Sequence, residues 1–374
     1  MSQDFRDLLK KVGSGSHTSK PLSREEAEAA TRMMLTQTAT PAQIGAFMIA
    51  HRIKRPTPEE LAGTLDAYTA LGPTLPAIAD GRKALVMSCP YDGRSRLAPV
   101  TPVTTLVLLA AGVPVVLHGG DRMPTKEGIP LVELWAQLGV NLRELSLSQS
   151  HGLMNQTGLG FVYLPQHFPQ AQAIVPYREQ IGKRPPFATV ELMWSPYAGP
   201  HRLVLGFVHP PTEVLAQATF ALRGQAEWMA VKGLEGSCDL ARSRTAIVGI
   251  HPSDHAPDAP LERLLLHPRD YGFEGDDVPL EDETSLGAAL LSVLGGQPSE
   301  LYKTAQWNAG FYLWQGGATE SLVAGLALAH DLLTQGQAMA KLEELRRAAV
   351  APDALVSYPA RGMEGSISSD SWVL

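Results

Sequence analysis

The chain has 374 residues, 44% of them hydrophobic and 18% charged, enough to bury a large core without a disulfide or metal staple. Its formal net charge of −7 argues against broad nucleic-acid binding, which rests on neutralising phosphates with Lys and Arg, but leaves room for a local basic groove. Two cysteines point to a reducing compartment and no apolar run is long enough to span a bilayer, so a cytoplasmic protein without a membrane partner is expected.

Residues 1–78 read as a small helical domain with three explicit start signals. Ser23-Arg24-Glu25-Glu26 is a capping box, in which the serine accepts from the third helical N–H and the glutamate reaches back. Thr40-Pro41-Ala42-Gln43 and Thr57-Pro58-Glu59-Glu60 repeat it, with proline at the first helical position, where a missing N–H costs nothing. Ile44, Phe47, Met48 and Ile53 supply an apolar face at helical spacing. From residue 79 to 350 the pattern becomes strands alternating with helices. Ala84–Met87 predicts a strand, Thr101–Ala111 a helix ending at Gly112, Val113–Leu117 a second strand, His118-Gly119-Gly120 a turn, and Leu131–Leu138 a helix. Leu203–Val208, Trp228–Val231 and Thr245–Val248 predict further strands, Thr212–Leu222 a helix, and Ser321–Ala349 one or two closing helices. Such alternation implies an α/β domain with a mostly parallel sheet. Residues 351–374, rich in Ser, Gly and Pro, predict an irregular tail.

The stretch from Ser88 to Gly93 follows a predicted strand and precedes a helix, the place for a phosphate-cradling glycine loop. It reads Ser88-Cys89-Pro90-Tyr91-Asp92-Gly93: Pro90 has no N–H to donate, and Tyr91 puts bulk where a ligand would lie.

The block Thr40–Ala50, Arg52-Ile53-Lys54 and Thr57–Gly63 resembles the helical domain of the anthranilate phosphoribosyltransferase family. Ala110–Val115 with His118-Gly119, Val175-Pro176-Tyr177-Arg178 with Lys183-Arg184, His267–Gly272 and Trp307-Asn308-Ala309 resemble later landmarks in the same order. The resemblance implies the fold of the anthranilate and nucleoside-phosphorylase type, its helical domain completed by a segment near 170–200. It implies an interdomain active site and a homodimer formed through the helical domain. The implied reaction displaces diphosphate from phosphoribosyl diphosphate, with magnesium on the diphosphate, and is driven by positioning and charge neutralisation.

Carried over position by position, the resemblance assigns ligand contacts to Asp92, Gly93, Arg94, Thr101, His118, Gly119, Thr125, Lys126 and Arg178. Of the family's Gly-Thr-Gly-Gly-Asp-Gly loop, only Asp92 and Gly93 remain. Of its Asn-x-Ser-Thr element only Thr101 remains, and the Lys-His-Gly-Asn turn has become Leu117-His118-Gly119-Gly120. The metal run Asp-Gly-Leu-Asp-Glu has become Glu235-Gly236-Ser237-Cys238-Asp239. Cys238 is a poor magnesium ligand, which leaves Glu235 and Asp239 as a reduced metal site or as acids capping a turn. The two cysteines are expected to lie close together in one cleft, as space-filling thiols rather than a disulfide. Arg94, Arg96, Arg122, Lys126, Arg178, Lys183 and Arg184 fall in segments bordering that cleft, with Arg242 and Arg244 after the metal run. They suit an anion held by side-chain charge in place of glycine N–H groups and magnesium. Two readings therefore stand: a transferase with a modified phosphoribosyl-diphosphate site and an unknown acceptor, or a non-catalytic homologue binding an anionic ligand or nucleic acid between the domains. A divergent branch of the family that also lacks the glycine loop and the full metal pair matches the second.

Overall fold

A computed structural model of the protein describes residues 3–15 and 17–350, so the expected tail at 351–374 lies outside the described residues. Helices α1 (Gln3–Gly13), α2 (Arg24–Leu35), α3 (Pro41–Lys54) and α4 (Pro58–Leu71) open the chain. All three capping boxes form: Ser23, Thr40 and Thr57 accept from the third helical N–H, and Glu26, Gln43 and Glu60 return the bond. Glu60 does more than cap. It is fully buried, accepts from the Leu22 N–H at 2.9 Å and from Lys54 Nζ at 2.7 Å, and lies 3.3 Å from His51 Nε2. One carboxylate thus ties the chain before α2 to the end of α3 and the start of α4.

The rest of the chain winds a seven-stranded sheet. In chain order come β1 (Ala84–Ser88), α5 (Thr101–Ala110), β2 (Val115–Gly119), α6 (Leu131–Gln137), α7 (Leu147–Thr157) and β3 (Leu159–Tyr163). Four short helices follow: α8 (Leu164–His167), α9 (Pro169–Gln172), α10 (Val175–Ile181) and α11 (Phe187–Met193). Then come β4 (His201–Gly206), α12 (Pro210–Arg223), β5 (Trp228–Val231), β6 (Ala246–His251) and β7 (Glu262–Leu266). Helices α13 (Glu283–Leu294), α14 (Glu300–Gln315), α15 (Leu322–Thr334) and α16 (Gln337–Val350) close the fold. The strand order is β3-β2-β1-β4-β5-β6-β7; the first five strands run parallel, and β6 pairs antiparallel with both β5 and β7.

Side chains alternate across this sheet as period two demands. Leu85, Met87, Val204 and Met229 join the core under α5 and α13–α16. Ala84, Val86, Leu203 and Leu205 face the other way, into a core shared with Tyr68 of α4 and with Phe168 and Trp194. Helix α10 packs on α3 and α11 on α4, so the segment between β3 and β4 joins the helical layer to the sheet, and α12, after β4, packs on α4 as well. The chain leaves β1 toward β2 on one side and returns through β4 on the other. In open parallel sheets that reversal leaves a crevice at the carboxyl ends of the strands.

Two local expectations shift. His118 and Gly119 are strand rather than turn, because β2 pairs with β3 through His118 opposite Val162 and Gly119 opposite Tyr163. Strands β3 and β7 and helices α7, α13 and α14 carried no clear sequence signal. Short apolar runs such as Leu159–Tyr163 do not by themselves choose between strand and buried helix.

Burial alone would raise the pKa of Glu60, but bonding and charge from His51 and Lys54 and the Leu22 N–H prevail and hold it down at about 2. Because the folded pKa lies below the usual carboxylate range, the stabilisation is whole above about pH 4.5 and is lost as the pH falls through the folded value. Glu60→Ala is expected to lower unfolding free energy by about 3 kcal/mol at pH 7, the cost of breaking a buried pair. Glu60→Gln is expected to flatten part of the acid limb in a pH titration of thermal stability followed by circular dichroism.

Candidate functional site

Of the residues assigned from sequence, Asp92, Gly93, Arg94, His118, Gly119, Thr125, Lys126, Glu235 and Asp239 lie at the ends of β1, β2 and β5 or in the loops that follow them, Thr101 starts α5, and Arg178 lies in α10. After β1 the chain turns tightly, with the Gly93 N–H donating to the Pro90 carbonyl at 3.0 Å. The loop then bonds the segment after β2: Gly128 N–H to the Asp92 carbonyl at 2.9 Å, and Ile129 N–H to the Arg94 carbonyl at 2.8 Å. Both glycines are required by this contact. A Cβ on Gly93, whose φ is +70°, would lie 2.4 Å from the Gly128 backbone, and one on Gly128 would lie 2.6 Å from the Arg94 carbonyl. Gly93 therefore serves loop-to-loop packing.

Tyr91 fills the space beside this turn. It is buried, its hydroxyl is hydrogen-bonded to His118 Nδ1, and its ring meets the His118 ring edge-on at 5.5 Å. His118 is closed in further by Trp194, 5.4 Å away ring to ring, and by Ser88 Oγ at 3.4 Å from Nε2. Burial drives the His118 pKa down to about 3, so the ring is neutral at ordinary pH and presents no charge to an anion. What remains between Cys89, Tyr91, His118, Gly119 and Leu131 is a cavity of about 10 Å³, room for one water at most.

The carboxylates expected to hold metal are already engaged. Asp239 accepts from Arg94 Nη1 at 2.7 Å, from the Val100 N–H at 3.1 Å and from the Thr101 hydroxyl at 3.0 Å. Val100 and Thr101 begin α5, which has no side-chain cap of its own, so Asp239 is the anion at that helix start. Glu235 accepts from Lys126 Nζ at 2.6 Å and from the Arg96 and Leu97 N–H groups at 3.1 and 3.0 Å, with Arg94 Nε 3.5 Å away. Both side chains are about 1–2% exposed. Burial alone would raise the Glu235 pKa, but Lys126 and these N–H groups bring it to about 2. Magnesium demands near-octahedral oxygen coordination at about 2.0–2.1 Å and keeps several waters. Here the groups bonded to the two carboxylates are donors and cations, and Cys238, the fourth residue of the run, turns its thiol to the Ser88 carbonyl at 3.0 Å. Among the described residues no group of three or more His, Cys, Asp or Glu is arranged to hold a metal ion. As they stand, these residues do not fit the metal.

The other assigned residues divide in the same way. Arg94 and Arg178 are buried, not open handles: Arg178 pairs with Glu191, and burial lowers its pKa. Lys126 donates to the Gly93 carbonyl at 2.7 Å as well as to Glu235. Asp92 is buried with one oxygen 3.4 Å from Arg184 Nη2, whereas Thr125 is exposed. Arg122 pairs with Glu133 and Glu283, and Arg242 with Glu300, so neither is directed at the site. Cys89 and Cys238 are free thiols in one core; burial and the neighbouring Cys89 push the Cys238 pKa well above its ordinary value, so it is no ready nucleophile.

An open cleft of about 1020 Å³ lies beside this filled region, at the end of β4. Arg52, Arg55 and Arg184 line it, together with exposed Val208 and Val214 and with Glu235 and Gly236. Arg52 Nη1 donates to the Arg184 carbonyl at 2.6 Å, and Arg55 sits at φ 66°. Arg52 and Arg55 were not singled out from sequence as ligand residues. The signal was there in muted form: the arginines stand against Pro56 and Pro185-Pro186, rigid corners that hold a cleft edge.

The helical-bundle domain of a glycosyl transferase family matches residues 6–72, and the a/b domain of the glycosyl transferase family matches residues 93–339. The chain belongs to this family, with both domains in order. Within it, the chain resembles anthranilate phosphoribosyltransferases: it is 30% identical over 346 residues to that of Afipia carboxidovorans and 29% identical over 345 residues to that of a Bradyrhizobium species. Each match covers 91% of this chain and 98% of the relative. The crystal structure of the Thermus thermophilus enzyme matches with TM-score 0.74 at 22% identity, covering 92% of this chain and all of that one. The Saccharomyces cerevisiae enzyme, in complex with phosphoribosyl diphosphate and magnesium, matches with TM-score 0.78 at 15% identity, covering 93% of this chain and 98% of that one. The expected architecture, a helical bundle followed by a larger α/β domain with a mostly parallel sheet, is the observed one.

If Tyr91 is the packed plug described above, Tyr91→Ala is expected to cost about 3 kcal/mol through lost burial and the cavity left behind. Tyr91→Phe, which keeps the ring and loses only the bond to His118, is expected to cost about 1 kcal/mol. Urea unfolding at pH 7 measures both, and equal midpoints for Tyr91→Ala and the parent protein would contradict the packing.

Proposed function

We propose that this family member is a non-catalytic protein that binds an anionic ligand in the cleft bordered by Arg52, Arg55 and Arg184, and that it does not transfer a phosphoribosyl group. One observation carries the reading: the ground a magnesium diphosphate would need is taken by the protein's own side chains, Tyr91 against His118, Arg94 on Asp239 and Lys126 on Glu235. A cation-like sugar and a departing diphosphate need charge placed around them. Here that charge is spent inside the protein. The nearest open space holds arginines at its rim and apolar side chains on its wall, which suits a ligand with an anionic group and an apolar body. No helix among the described residues is long and apolar enough to cross a membrane. The cytoplasmic location is carried by the sequence reading, and the homodimer through the helical domain by the family resemblance.

Phosphoribosyl diphosphate, anthranilate and magnesium, followed by loss of anthranilate fluorescence, are expected to show no turnover; sustained turnover would overturn the reading. Tripolyphosphate, titrated by calorimetry at low salt, is expected to bind, and Arg52→Ala with Arg55→Ala to weaken that binding about 10-fold. Single-stranded DNA serves as the second probe. Retention that falls with salt and with the same two substitutions would identify the anion as a nucleic-acid backbone.

A further inference from the structure

We infer that Arg94 and Lys126 are resident cations that take the place of a divalent metal at Glu235 and Asp239, so that the loops after β1, β2 and β5 are held together without metal. This deepens the reading above and rests on its first half, the loss of the magnesium site, not on the ligand cleft.

The charge count is the first argument. Two carboxylates, each almost fully buried, face the Arg94 guanidinium and the Lys126 ammonium at 2.7 and 2.6 Å, with the exposed Arg96 guanidinium 3.6 Å from Glu235, so both negative charges are met without any ion. Two buried carboxylates side by side would otherwise need a metal or a proton. Coordination is the second. Arg94 reaches both acids at once, through Nη1 to Asp239 and at 3.5 Å through Nε to Glu235, bridging them as a bound divalent ion bridges two ligands. Lys126 then links Glu235 to the Gly93 carbonyl. The third argument is how the cations arrive. Arg94 follows Gly93 at the residue where the β1 loop bridges to Ile129, and Lys126 lies two residues before Gly128, so both come from the clasp made by those close-packed glycines. A metal would have to displace two paired cations to enter, and like charges would oppose it.

The test is a manganese titration followed by electron paramagnetic resonance, with no nucleotide, diphosphate or cleft ligand present. Failure here is thereby separable from failure of the ligand reading. The parent protein is expected to leave manganese free. The variant Arg94→Met with Lys126→Met is expected to bind it at least 10-fold more tightly, on the order of one decade or more in Kd. Adding Asp239→Asn is expected to abolish that gain. If circular dichroism shows the double variant unfolded, Lys126→Met alone, which leaves Arg94 on Asp239, carries the test with the same readout. A folded variant with no gained affinity overturns the inference. So does manganese binding by the parent protein that is lost in Asp239→Asn.

Discussion

Two carboxylates buried at the end of a sheet must be neutralised, and most of what distinguishes this protein follows from how that is done. Glu235 and Asp239 sit in a loop after β5 with almost no solvent access. An uncompensated charge there would cost several kcal/mol. The compensation comes from Arg94 and Lys126, and each is delivered by a loop from a different strand, after β1 and after β2. Asp239 also satisfies the start of α5 through Val100 and Thr101. One charge-paired cluster thereby joins three loops and a helix terminus, and none of these parts can move outward without exposing or orphaning a charge.

That constraint acts at the strand ends and is separate from the architecture, which is the family's. The sheet, the crossover order and the helical layer are set by apolar alternation and helix packing, which the altered loops do not disturb. At the strand ends, side chains occupy the room that a ligand would use. Tyr91 and His118 close one half with ring contacts, and the ion pairs close the other. The open volume is displaced toward the end of β4, where the segment from Arg184 to Pro186 and the end of α3 bring arginines to the rim.

Much of this was legible residue by residue. Ser23, Thr40 and Thr57 announce their helices because capping is local: the side chain, its N–H partner and the returning carboxylate or amide lie within four residues. The alternating pattern after residue 79 announces a parallel sheet for the same reason. The loss of the glycine loop was equally visible, since Pro90 has no N–H in any fold. Strand β3 was not, because five residues with a glycine among them become a strand only when β2 offers them partners. The basic residues show the limit most clearly. Arg94, Lys126, Arg178 and Arg184 look alike in a sequence and all meet buried acids, yet Arg94 and Arg178 are closed in while Arg184 keeps part of its side chain exposed at a cleft.

By itself the sequence determined the class of fold, the alternation of strands and helices after residue 79 and the starts of α2, α3 and α4, since all of these depend on residue type and on neighbours a few positions away. Only the tertiary structure decided which side chains meet at the strand ends. Arg94 and Asp239 are 145 positions apart, Tyr91 and His118 are 27 apart, and Arg52 meets Arg184 across 132. Whether a charge is a handle for a ligand or the partner of a buried acid is settled by such distant pairs. Charge neutrality and burial are properties of the assembled site, and no local stretch of the chain contains them.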